Sequence, residues 1–181
     1  MSHRIVKDLM LPLDEYATVS SEETIQDALR ALDKAQLGLT YNRHHHRAIL
    51  VLDDRGEVVG KLSHWAILRK LEPKVFTPGD MSALDAAGFS SEYIDRLEEG
   101  LLSHFGNITA LSRKASKIKA RDAMVPVGES IDEDAPLIAA IHQLVTTHVQ
   151  SMPVTRDGRI VGVLRLSDVF EEVADIIRKA E

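Results

Sequence analysis

The sequence has 181 residues, of which 44% are hydrophobic, 28% charged and only 4% aromatic, with a net charge of −6 and no cysteine. That length holds one compact domain or two small ones with an aliphatic core, and the acidic balance argues against a broad nucleic-acid surface. Disulfides and thiol chemistry are excluded, no apolar run nears the ~18 residues of a membrane span, and the start Met1–Lys7 lacks the apolar core of a signal peptide, all of which fits a cytosolic protein.

Val6-Lys7-Asp8-Leu9-Met10-Leu11-Pro12 opens the chain as a short helical turn, ended near Met10 by the proline. Ser20 and Ser21 then precede a helix whose apolar face is Ile25, Ala28, Leu29 and Leu32. A strand follows at Ala48–Leu52. Asp53-Asp54-Arg55-Gly56 reads as a hairpin turn, and the run Arg55–Ser63 as turn, second strand and the start of a closing helix.

Pro73, Pro78-Gly79, Gly88 and Gly106 punctuate the middle. A short helix is expected over Asp80–Ala87 with Asp80 as its cap. A longer one is expected over Ser91–Phe105 with Ile94, Leu97 and Leu101 as its stripe, and a basic one over Asn107–Ala120. These stripes need a surface, either the flanking regions or a second chain.

The opening pattern then returns. Ala120-Arg121-Asp122-Ala123-Met124-Val125-Pro126 repeats the first segment at a displacement of 114 residues. Leu137, Ala140, Ile141 and Leu144 repeat the helix face, with Asp134 or a nearby acid favouring its N-terminus. Ser151-Met152-Pro153-Val154 is a strand, with a proline expected at a sheet edge. Asp157-Gly158 is a strong turn signal, and Ile160–Leu164 leads into a terminal helix. Gly158 and Gly162 stand 102 residues after Gly56 and Gly60. Such repeated frames mark an internal duplication, each copy reading βαββα. Met10 to Gly60 spans 50 residues and Met124 to Gly162 spans 38, so the first copy is longer, mostly around 38–46.

His44-His45-His46 invites a metal reading, but consecutive histidines on a strand alternate faces, leaving at most His44 and His46 to share an ion. There is no His-Glu-x-x-His pattern, and a titrating polar loop edge is the plainer reading. His46 and His148 share a repeat position. Ser63-His64, adjacent in sequence, makes no catalytic triad, no Walker-type loop is present, and Asp53-Asp54 suits a turn better than acid–base work. A non-enzymatic protein is expected.

Asp8-Leu9-Met10, Val19-Ser20, Thr24-Ile25, Val51-Leu52-Asp53, Gly56 and Val59-Gly60-Lys61-Leu62-Ser63 carry a family pattern. So do Asp122-Ala123-Met124, Met152-Pro153-Val154, Asp157-Gly158-Arg159-Ile160-Val161-Gly162 and Ser167-Asp168. With these residues the chain resembles a tandem pair of CBS domains (the cystathionine β-synthase type), the arrangement called a Bateman module. The resemblance covers roughly residues 5–70 and 118–175. It implies an α+β fold: two βαββα CBS units packed about a pseudo-twofold axis, with a helical insertion between them. The expected divisions are 1–70 for the first unit with its N-terminal segment, 71–118 for the insertion and 119–181 for the second unit.

The resemblance also implies a regulatory role, with an adenosine nucleotide (AMP, ADP or ATP) in a cleft between units, no cofactor, and pairing into a homodimer. With no effector domain in the chain, output to a separate partner is expected. The family pattern tied to nucleotides is Gly-apolar-x-Ser/Thr-x-x-Asp/Asn, whose acid grips two ribose hydroxyls while the hydroxyl residue caps the helix and faces phosphate. The resemblance as a whole implies nucleotide binding at Asp168, Arg165, Ser130, Met152, Pro153, Val154 and Ser63. Neither copy fits fully. The first keeps Ser63 but has Ala66 in place of the acid. The second keeps Asp168 but has Arg165 in place of the hydroxyl. Three arrangements are open: Arg165 pairs with phosphate, Arg165 fills the site, or Ser167 caps the helix and turns Asp168 elsewhere. A ligand-free structural dimer is the rival reading.

Overall fold

The computed structural model describes residues 4–37, 46–72, 78–104 and 107–180. His44 and His45 lie outside the described residues. The first unit runs β2 (Thr18–Ser20), α1 (Ile25–Leu37), β3 (Ala48–Leu52), β4 (Val58–Ser63) and α2 (His64–Leu71). The second repeats it as β6 (Ile131–Asp132), α7 (Leu137–Thr147), β7 (Ser151–Arg156), β8 (Arg159–Arg165) and α8 (Leu166–Arg178). Each is a βαββα unit, as expected. Two short strands, β1 (Leu11–Pro12) and β5 (Val125–Pro126), complete the sheets, which read β2-β3-β4-β5 and β1-β8-β7-β6.

Those orders contain a crossing. β1, ahead of the first unit, pairs antiparallel with β8 of the second, and β5, ahead of the second unit, pairs with β4 of the first. The exchange extends beyond the strands. Val6 N donates to Ala135 O at 3.0 Å, and Ala120 N to Glu23 O at 2.7 Å. Val6 is buried in the second core, Ala120 and Ala123 in the first. Ion pairs hold both crossings: Lys7 with Glu133 at 3.5 Å, Lys119 with Glu22 at 2.6 Å, and Arg121 with Glu22. Glycine permits the close approach of the crossing strands. A Cβ on Gly162 would lie 2.4 Å from the Leu11 carbonyl oxygen, and one on Gly60 would lie 2.4 Å from Met124 Sδ. The methionine and glycine frames of the sequence thus meet crosswise, Met10 beside Gly162 and Met124 beside Gly60.

Local chemistry explains the elements. Thr24 and Asp27 form a reciprocal cap at the start of α1, with Thr24 N donating to Asp27 at 3.1 Å and Asp27 N to Thr24 Oγ1 at 3.3 Å. The Thr24 hydroxyl, which donates to Asp27 Oδ2 at 2.6 Å, and with it the Thr24 N–H hold the Asp27 carboxyl below its usual range. Ile25, Ala28 and Leu32 are buried, whereas Leu29, expected on the same face, is exposed. In α7 Leu137, Ala140 and Leu144 are buried and Ile141 half-buried. In the first hairpin Asp53 Oδ1 accepts from Arg55 N and Glu57 N, both at 2.9 Å. In the second, Asp157 (φ 50°) and Gly158 (φ 76°) form a two-residue turn between paired Arg156 and Arg159.

Several expectations are corrected. α3 (Pro78–Ala86) starts at the proline, which suits a first helical position, so Asp80 sits in the first turn and is not the cap. The expected helix from Ser91 is present as α4 (Ser91–His104), with Ile94 buried and Leu97 half-buried; Phe105 and the Leu101 side chain lie outside the described residues. α5 is only Ile108–Ala115, capped by Asn107 Oδ1 accepting from Ala110 N at 3.0 Å. It ends there because Ile118 and Lys119 leave to pair with Ile25 and Thr24. The short α6 (Ala120–Ala123) follows and stops at Met124, as the proline requires. Pro136, not Asp134, occupies the N-cap of α7, while Asp134 N turns back to Asp132 Oδ1. Pro153 is not on an edge strand. β7 is internal, but β6 pairs with it only from Val154 onward, so no β6 ladder bond is lost at the proline.

Candidate functional site

The two units meet along a seam formed by the hairpins β3–β4 and β7–β8. Part of it is filled. Leu11, Tyr16, Leu50 and Val163 form a buried apolar cluster. Beside it lies an apolar slot of about 190 Å³, lined by Leu50, Val58, Gly60 and Lys61 of the first unit, 125–129 of the crossing segment, and Thr147, Val149, Ser151, Met152, Pro153 and Val163. Because β6 begins opposite Val154, the strand edge beside Met152 and Pro153 is left uncovered on that side.

A larger cleft of about 750 Å³ adjoins the slot, and Lys61, Val149 and Ser151 line both. Its walls are Tyr16, Arg47, Ala48, Ser63, His64 and Trp65 from the first unit, with His148, Gln150, Arg165 and Ser167 from the second. Among the described residues lining it there is no carboxylate. Arg47, Lys61 and Arg165 make it a basic cavity, and Trp65, 70% exposed, adds an aromatic face.

Polar contacts tie the units together here. Lys61 Nζ, on β4, donates to the Ser151 carbonyl at 3.1 Å and to Ser151 Oγ at 3.2 Å on β7. Burial lowers the Lys61 pKa from its ordinary value. Tyr16 lines the same cleft as Ser151. Burial pushes its phenol up to about 12, against the nearby Arg165 charge, which works in the opposite direction.

The sequence-derived residues are only partly brought together. Met152 and Pro153 line the slot, and Ser63 and Arg165 the cleft. Val154 is fully buried in the second core, and Ser130 is exposed outside both cavities, its carbonyl accepting from Gln143 at 3.5 Å. Asp168 lines neither cavity. Arg165, itself only 5% exposed, donates to Asp168 from Nε at 2.5 Å and from a terminal nitrogen at 2.7 Å, a bidentate clasp.

Ser63 caps α2, its Oγ accepting from Ala66 N at 3.1 Å. The N-cap of α8 is Arg165, without a side-chain cap bond, so the arrangement with Ser167 as cap does not occur. Ala66, where the family pattern has an acid, is packed in the first core. His46 is buried edge-on against Tyr16 with ring centroids 4.6 Å apart, while its repeat counterpart His148 is exposed, in a left-handed conformation (φ 54°) at the end of α7. Among the described residues no three metal-ligating side chains cluster, and no helix is long and apolar enough to cross a membrane.

Sequence reasoning missed Lys61. The signal was present: under the 102-residue frame its counterpart is Val163, an apolar position of the pattern.

A family model for the CBS domain matches residues 6–73 and 120–175. A search among curated proteins finds no match. Among solved structures, the CBS-pair protein CBSX2 from Arabidopsis thaliana superposes with a TM-score of 0.62 at 20% identity, over 98% of this chain and 99% of that one. A structure of CBSX2 in complex with AMP gives 0.58 at 21% identity, over 95% and 97%. Protein MJ1004 from Methanocaldococcus jannaschii gives 0.58 at 22% identity. It is matched over 95% of this chain, which spans 60% of that longer one.

Proposed function

The chain belongs to the CBS-domain family as a tandem pair of units, and from that premise we propose that it is a non-enzymatic sensor that binds an adenosine-type nucleotide at the seam. One observation carries the reading: an uncovered apolar slot beside Met152 and Pro153 opens past Lys61 into a cleft with basic walls. A flat apolar base suits the first part and a phosphate the second. That CBSX2 has been crystallised with AMP supports the same ligand class.

In this reading Arg165 and Asp168 act as a unit. A phosphate competes with Asp168 for the guanidinium and frees the carboxylate toward ribose. Binding then shifts the placement of the two units, provided the ligand has unequal affinity for the two arrangements. The output goes to a separate effector in the cytosol.

A thermal-shift panel of AMP, ADP, ATP, NAD and S-adenosylmethionine tests this. A binder at a hundredfold its dissociation constant adds roughly 2.7 kcal/mol of stability, and Asp168→Ala should weaken that response without unfolding the protein. No response to any member would overturn the reading.

A second reading, a structural dimerisation module, is favoured by the Arg165–Asp168 clasp and by exposed Ile138, Val145, Phe170 and Ile177 on α7 and α8. A homodimer fits either reading. Light scattering after size exclusion, with Phe170→Glu as the disrupting variant, measures it.

A further inference from the structure

Lys61 stands where the second unit has Val163, on a strand facing the seam. Its ammonium is held by one carbonyl and one hydroxyl of Ser151, and no carboxylate pairs with it among the described residues. A partly buried cation normally has an anion beside it, because neutral oxygens offset only part of its lost hydration. Among the described residues Lys61 is also the one charged residue that lines both the slot and the cleft; Glu129 lines the slot alone.

Beyond it the charges continue outward. Arg165 lines the cleft, and Arg47 lines both the cleft and an outer pocket shared with Gln150, Leu166, Ser167 and Phe170. Arg165 is clasped by Asp168, whereas no ion pair joins Arg47 to a carboxylate among the described residues. The cations therefore run in sequence from the mouth of the apolar slot to the surface. One phosphate would meet only part of such a track.

We infer that Lys61 is a phosphate seat, and that the seam takes a nucleotide carrying two or more phosphates in preference to a monophosphate. This rests on the nucleotide reading above. The ligand's first phosphate takes the Lys61 ammonium from Ser151, and later phosphates meet Arg165 and Arg47. Because Lys61 belongs to one unit and Ser151 to the other, occupancy replaces a direct contact between units with one made through the ligand.

The test is calorimetric titration of adenosine, AMP, ADP, ATP and inorganic tripolyphosphate at constant ionic strength, into the full chain and its Lys61→Met and Lys61→Arg variants. In the unaltered protein ADP should bind at least tenfold more tightly than AMP, and adenosine most weakly. Lys61→Met should weaken ADP tenfold or more and leave adenosine unchanged, while Lys61→Arg retains most of the affinity. Without ligand, Lys61→Met should melt no lower than the parent, since it removes a buried charge. Should Lys61→Met not fold, the salt dependence of ADP binding to the unaltered protein, steep against flat for adenosine, carries the test.

Equal affinity for adenosine and ADP overturns the inference and leaves the nucleotide reading standing. Tripolyphosphate binding that depends on Lys61, with no gain from an attached adenosine, upholds the phosphate seat and overturns the adenosine reading. Binding of none of the five overturns both.

Discussion

At the junction of the second hairpin strand and the closing helix, the first unit carries Lys61, Ser63 and Ala66, and the second carries Val163, Arg165 and Asp168. The backbones correspond and the chemistry does not. Ser63 satisfies the start of α2 with its own oxygen, and Ala66 can therefore sit in the core. The start of α8 has no such cap; Asp168 occupies its first turn, where the helix favours an acid, and clasps Arg165. One unit places its cation on the strand and the other at the helix entrance, and both charges line one cleft. The crossing segments differ too. Around 125–129 the second leaves a slot, whereas Leu11 and Tyr16 of the first are buried beside Leu50 and Val163. Duplication supplied two equivalent frames, and substitution at a few positions made one side of the seam a wall and the other an opening.

The glycines that permit the crossing give the largest expected effect and the sharpest contrast. Gly162→Ala drives a methyl into the Leu11 backbone, which cannot swing aside, and should cost about 3 kcal/mol. Gly60→Ala meets chiefly the flexible end of Met124 and should cost about 1 kcal/mol. Equal losses in urea denaturation would break the argument that the two crossings differ in rigidity.

Tyr16 should come next. Its folded pKa of about 12 lies above the ordinary 10.0, so its contribution is complete below pH 10 and is lost as pH rises through 12. That interval corresponds to roughly 2–3 kcal/mol. Denaturation curves between pH 9 and 12 should fall more steeply for the parent than for Tyr16→Phe.

Ser63→Ala removes the cap of α2 and should cost about 1 kcal/mol by chemical denaturation. The smallest effect concerns the acids that hold the crossings. Hydrogen bonding from Arg156 lowers the Glu133 pKa, and from Lys119 that of Glu22. Their contributions are present above the ordinary glutamate pKa and fade as pH falls below it. Melting temperatures across pH 3–6 should show a smaller acid loss in Glu133→Gln and in Glu22→Gln than in the parent.

Much of this was legible in the sequence. The repeated Gly56/Gly158, Gly60/Gly162 and Met10/Met124 frames specify two equivalent hairpins, and Asp157-Gly158 formed the turn its residue types demand. The crossing was not legible, because adjacency in sequence placed Met10 with the unit that follows it, while its contact is with Gly162 far along the chain. Helix ends in the insertion shifted for a similar reason. Ile118 and Lys119 have helical propensity but are drawn off by bonds to Ile25 and Thr24. At the site, motif position identified Arg165 and Asp168, but not that they hold each other. Lys61 differed visibly from Val163, yet its partner is a serine ninety positions away, which no local pattern encodes.

The reciprocal strands carry a consequence for any protease that nicks the chain within its central helices. The two products would remain clasped, each threaded into the other's sheet through Leu11–Pro12 and Val125–Pro126. Such a protein would show two bands after denaturation and still elute as a single particle beforehand.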